Sequence, residues 1–89
     1  MRLDKYLKLS KLIKRRPIGN LMCDEGKIKI DDRTGKASST VKEGQILELD
    51  MGRKKVRVRV LLAPEKLSGR IKPADLYEVI EEIKIIEEI

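Results

Sequence analysis

Apolar residues return at three- and four-residue steps from the start of the chain: Leu3, Tyr6, Leu7, then Leu9, Leu12 and Ile13. That spacing predicts an amphipathic helix with an interruption near Ser10. Pro17 marks a boundary, because proline disfavours helical geometry in the residue before it and suits the first turn of a new helix. Ile18, Leu21 and Met22 then share a face, and Gly26 is placed to end a second helix in a left-handed turn. From Lys27 the period changes to two. Ile28 and Ile30 alternate with lysines, Ile46, Leu47 and Leu49 follow, and Val56, Val58 and Val60 alternate with Lys55, Arg57 and Arg59. These are three half-buried strands, the last with a cationic outer face. Asp31 to Gly35 and Lys42-Glu43-Gly44 read as turns, and Met51-Gly52-Arg53-Lys54 as a hairpin connection. A polar stretch over 63–72 leads to a closing segment in which Leu76, Val79, Ile80, Ile83 and Ile86 keep helical spacing. Acids between those positions complete the pattern of an amphipathic C-terminal helix over 73–89. The fold class expected is α+β, with two N-terminal helices on a small, mainly antiparallel sheet and an acidic C-terminal helix.

Composition sharpens this picture. Eighty-nine residues with no Phe or Trp and two Tyr make one domain with an aliphatic core. Net charge is +6, but residues 1–72 hold twenty basic and nine acidic residues while 73–89 hold one basic and six acidic. A net +11 on so small a body points to a polyanion partner. Seven of the first twenty residues are basic against one acid, and Lys5, Lys8, Lys11 and Lys14 fall at steps of three before Arg15-Arg16. A solvated face explains any one of these lysines; the set is better explained by phosphate binding, since like charges repel. Arg15 and Arg16 are its sharpest members, because guanidinium groups match phosphates and stay charged. Lys55, Arg57 and Arg59 either extend that surface or guard a sheet edge. Both Tyr6 and Tyr77 sit beside apolar neighbours and read as packing residues, so recognition should rest on phosphates and RNA shape rather than base stacking.

Other classes find little to stand on. There is no His and a single Cys23, which removes the usual metal sites, the internal disulfide and any Ser-His pair for Ser38-Ser39. Cys23 falls in an apolar helical stretch and reads as a small core residue. Neither enzyme nor cofactor is expected. The longest apolar run, Val60 to Ala63, is far too short to span a bilayer, and the charged start lacks a signal-peptide pattern, so no membrane association and a cytoplasmic location are expected.

Arg2-Leu3-Asp4-Lys5-Tyr6-Leu7, Ser10 through Arg16, Cys23 through Ile28, Ala37-Ser38-Ser39 and Val41 through Gln45 together resemble the αL-motif RNA-binding domain, the S-four domain. The likeness runs in order through residues 2–62, giving an RNA-binding domain over 1–62, a connection over 63–72 and a tail over 73–89. Ala74 to Ile80 is similar to the ending of small stand-alone ribosome-associated quality-control factors. Small heat-shock ribosome-binding proteins, which usually carry a basic tail, are a second group of the family. The resemblance implies binding to large-subunit rRNA and P-site peptidyl-tRNA on split, stalled large ribosomal subunits. It also implies support for an RqcH-type tailing factor that adds C-terminal alanines. By position, the implied RNA-binding residues are Arg2, Asp4, Lys5, Ser10, Lys11, Lys14, Arg15, Arg16, Lys27 and Lys36. Pro17-Ile18-Gly19-Asn20 and Asp31-Asp32-Arg33 depart from the family pattern. A heat-shock-type recycling factor, or a protein-interaction module docking through the acidic C-terminal helix, are the alternatives.

Overall fold

The structure, a computed structural model, describes residues 1–84. Helix α1 (Leu3–Leu9) and helix α2 (Arg16–Asp24) precede strands β1 (Ile28–Ile30), β2 (Arg33–Thr34), β3 (Ile46–Asp50), β4 (Lys54–Val60) and β5 (Tyr77–Lys84). The strands form one antiparallel sheet in the order β2-β1-β3-β4-β5. Leu3, Tyr6 and Leu7 of α1 pack with Ile28, Leu47, Leu49, Val58 and Val60 of the sheet in the buried core. The helices close on each other at Gly19, where a Cβ would stand 3.4 Å from Leu7 Cδ1. The unusual Pro17-Ile18-Gly19-Asn20 segment is therefore helical, and its glycine serves close packing.

The first turn of α1 is held from outside. Its Leu3 and Asp4 N–H groups donate to the carbonyls of Ser39 (2.8 Å) and Ala37 (3.1 Å), so the 36–41 loop supplies acceptors that no capping side chain provides. Asp31 and Asp32 both adopt positive φ, 49° and 68°, in the two-residue connection between β1 and β2. Asp tolerates this conformation, so the pair performs the tight hairpin turn for which Asn-Gly is the usual choice. Asp31 also ties β1 to β3, accepting the Ile46 N–H on Oδ1 at 2.9 Å.

The expected C-terminal helix is corrected by the structure. Pro73–Leu76 is a single 3-10 turn, and Tyr77–Lys84 is a strand paired along β4. The reason lies in the partner strand. Glu78 pairs with Arg59 (2.9 Å), Glu81 with Arg57 (3.6 Å) and Glu82 with Lys54 (3.3 Å). β-branched Val79, Ile80 and Ile83 favour the extended state as well. Residues 85–89, also part of the expected helix, lie outside the described residues.

Candidate nucleic-acid interface

Asp4 is the unusual residue of α1: a carboxylate only 2% exposed among Leu3, Tyr6 and Leu7. Its Oδ1 accepts the Lys5 N–H (2.8 Å) and pairs with Arg2 Nε (3.2 Å), while Oδ2 pairs with Arg16 Nε (3.1 Å). Burial on its own would raise the Asp4 pKa, but the Arg16 bond, the Lys5 N–H and Arg2 outweigh it and hold the carboxyl below its ordinary value. One buried anion thus fixes two guanidinium groups that are themselves about half exposed, at 56% and 44%. A planar fork held in place loses less freedom when it meets a phosphate than a mobile one.

The surrounding backbone brings further cations to this point. Arg2 bridges to Thr40, and a cleft of about 490 Å³ is lined by Arg2, Asp24, Gly35 and Lys36. Lys36 is positioned by its N–H on Ser39 Oγ (2.9 Å). The closeness of this loop to α1 depends on Gly35, where a Cβ would come within 2.9 Å of Leu3 Cδ2. Exposed Lys14 and Arg15 lead into α2, and the chain reverses just before them at Lys11, whose φ is +59°. None of Lys11, Lys14, Arg15 and Lys36 makes an ion pair among the described residues.

Not all expected site residues join this group. Ser10 is 1% exposed, with its hydroxyl donating to the Leu7 carbonyl at 3.1 Å. Asp4 and Ser10 are both buried, and their side chains meet partners inside the protein rather than solvent. Arg16, by contrast, has a structural share that an exposed doublet does not suggest, through its bond to Asp4. Lys27 is engaged by Glu25 at 3.0 Å, and Lys5 turns away from Asp4 to donate to the Glu65 carbonyl at 2.6 Å. Lys11 lines a separate groove with Leu12 and Lys54. Lys8, part of the expected cationic run but not of the residues implied by the family resemblance, is exposed one turn after Asp4 and belongs to the same face of α1 as Lys5.

Arg57 and Arg59 guard no sheet edge. β4 is internal to the sheet, and both arginines are paired with β5 glutamates. Tyr6 is fully buried, its hydroxyl donating to the Leu76 carbonyl at 2.5 Å. Burial, with Tyr77 nearby, pushes that hydroxyl far above the ordinary tyrosine range. Cys23 is also buried, and burial, then Asp24 and Asp4, raise its thiol pKa. It is a packing residue with little thiolate at neutral pH. Among the described residues no group of three or more His, Cys, Asp or Glu could hold a metal, and no helix is long and apolar enough to cross a membrane.

The model of the S4 domain matches residues 1–47, more than half of the chain, including both helices and the loop that caps α1. The chain belongs to the S4-domain family. Among S4-domain relatives it is 40% identical over 82 residues to the RQC P-site tRNA stabilizing factor of Halalkalibacterium halodurans, covering 92% of each chain. It is also 40% identical over 87 residues to the protein of that name in Bacillus subtilis, covering 98% of this chain and 100% of the relative. The trimeric structure of Vibrio cholerae Heat Shock Protein 15 superposes with a TM-score of 0.79 at 24% identity, covering 89% of this chain and 80% of that one. This last likeness shows a shared fold. The S4 match ends inside β3, so β4 and β5 lie beyond it.

Proposed function

We propose that the protein is a non-catalytic, cytoplasmic RNA-binding factor of ribosome-associated quality control. On this reading it docks on large-subunit rRNA and P-site peptidyl-tRNA of split, stalled large subunits. There it supports C-terminal alanine tailing by an RqcH-type factor. The observation that carries the reading is the buried Asp4 carboxylate holding Arg2 and Arg16 in fixed, half-exposed positions at the start of the two helices. Such an arrangement suits phosphate oxygens on folded RNA, and with both tyrosines occupied in packing there is little to stack bases on. Lys36, Lys14 and Arg15 complete the contact surface, with Lys5, Lys11 and Lys27 at its margins. Full-length relatives named RQC P-site tRNA stabilizing factor support the choice of RNA.

The docking of an acidic C-terminal helix on a partner protein loses its premise, because the described part of that tail is a strand with its glutamates paired. A recycling role of the heat-shock type remains the competing outcome, and one experiment separates the two. Large subunits carrying peptidyl-tRNA and empty large subunits are sedimented with wild type and with Arg2→Ala/Arg16→Ala. Co-sedimentation of wild type that requires peptidyl-tRNA, is lost in the double variant and coincides with alanine-tail synthesis is expected. Equal binding to empty subunits, without effect on tailing, would favour recycling.

A further inference from the structure

The 61–76 segment is closed at its base: the Leu61 and Leu62 N–H groups both donate to the Leu76 carbonyl, at 2.8 and 3.2 Å. Ala63, Leu67 and Ile71, at four-residue steps, pack against the core, and Asp75 Oδ2 accepts the Lys72 N–H at 2.9 Å. A loop with joined ends and an apolar underside is a compact, fixed structure rather than a slack connector. Lys66, Arg70 and Lys72 of this loop are all exposed, with no acid between 66 and 74. None of the three makes an ion pair among the described residues, whereas Lys54, Arg57 and Arg59 of β4 are each neutralised by a glutamate. Lys5 Nζ clasps the Glu65 carbonyl at 2.6 Å, so this cationic loop abuts the exposed face of α1 that bears Lys5 and Lys8.

We propose that Lys66, Arg70 and Lys72 form a second phosphate-binding element. It would extend the Arg2–Arg16 surface across α1 and grip another stretch of backbone of the same structured RNA. This rests on the RNA-binding reading above. The partner chemistry is a phosphodiester backbone: the element is cationic, lacks an exposed aromatic residue and offers no enclosed pocket. Two separate contacts of this kind suit a folded RNA, whose backbone is rigid enough to meet both, better than a flexible single strand. The sequence carried a signal for it, three cations in seven residues without an acid, but the period of 63–72 says nothing about whether such a loop is fixed.

The test uses the full chain and folded bacterial tRNA as the probe, with a single-stranded RNA of equal length beside it. Lys66→Ala/Arg70→Ala/Lys72→Ala is compared with wild type and with Arg33→Ala/Arg53→Ala/Lys55→Ala, which removes equal charge from the turns and the outer sheet face. The loop variant should bind tRNA at least tenfold more weakly at low salt. Its slope of log affinity against log salt should be shallower by about 2–3, since each phosphate contact contributes up to roughly 0.9. Its melting should be unchanged, and the control should lose less than threefold. In wild type, acetylation of Lys66 and Lys72 should be suppressed by tRNA, a readout independent of any variant. Equal losses in loop and control variants, or unprotected Lys66 and Lys72, would overturn the proposal. If Arg2→Ala/Arg16→Ala alone loses binding, the first surface stands and the second falls. If neither variant loses binding, both readings fall.

Discussion

Asp4 shows how a single residue converts two flexible side chains into a geometric feature. Its charge has the same sign as a phosphate's and repels it, so electrostatics alone would make it a liability in an RNA-binding surface. Its burial and its bonds to Arg2 and Arg16 reverse that judgement. Asp4→Asn raises the net charge from +6 to +7, and a purely electrostatic surface would then bind RNA more tightly. We expect the reverse: roughly tenfold weaker binding, about 1.4 kcal/mol, because the two guanidinium groups lose their common anchor. Stability should fall by about 1–3 kcal/mol as charge-assisted hydrogen bonds are lost. The pH dependence has a definite sign. The folded Asp4 carboxyl lies below its ordinary value of 3.8, so its stabilisation is complete above that value and is lost as pH falls through the lower folded one. Denaturation of wild type and Asp4→Asn between pH 7 and pH 2 should therefore show a stability difference that is constant at neutral pH and shrinks below about pH 4. Tighter RNA binding by Asp4→Asn would refute the anchoring role.

Elements whose period was unambiguous were legible in the amino-acid sequence: α1, α2, β1, β3 and β4 all stand where apolar spacing puts them. β2 was not, because two residues after an Asp-Asp pair carry no period. β5 was misread for a more instructive reason. Val58 pairs with Val79 and Arg57 with Glu81, which leaves Ile80 as an extra residue in a bulge. The bulge breaks the alternation: Val79 stands opposite buried Val58 while Ile83, opposite Lys55, falls on the other face with Glu78 and Glu81, so apolar residues occur on both faces and only steps of three and four are left to read. What distinguishes the two states is tertiary, the arginines of β4 awaiting acids, and it is visible only once the strands are adjacent. That Asp4 and Ser10 are buried was not recognisable from spacing alone. Position offered a hint in Asp4, which directly follows Leu3 at the edge of the apolar face. Removing 77–89 strips the neighbour from β4 and uncovers the flank of Val58 and Val60, both buried. It should lower stability by a few kcal/mol, a large share of what a domain of this size possesses. Thermal unfolding measures it, and unchanged melting would mean that β5 adds nothing to the fold.

Across the whole molecule, charge is sorted rather than merely plentiful. On the outer face of the sheet, Lys29, Glu48, Arg57 and Glu81 stand in one cross-strand row of alternating sign, with Arg59 and Glu78 in the next. On the helices and the 61–76 loop, cations other than those ordered by Asp4 make no ion pair among the described residues. The acidic tail therefore acts locally, pairing Lys54, Arg57 and Arg59, three of the four cations of β4. A tail that acted only through net charge would predict something different, since any two acids would then be equivalent. Glu78→Gln/Glu81→Gln and Asp32→Asn/Glu43→Gln each raise the net charge by two, but only the first pair frees arginines. Exposed ion pairs are each worth about 0–1 kcal/mol, so the first variant should remain folded with a small fall in melting temperature. Freed Arg57 and Arg59 should create a second, unspecific attraction for duplex RNA on the wrong face. Its affinity at low salt should rise several-fold and its salt slope steepen by up to about 2, while the second variant changes little. Equal gains for the two variants in a salt titration would show that the tail works through net charge alone, and that the pairing along β4 and β5 serves the fold without directing where RNA can bind.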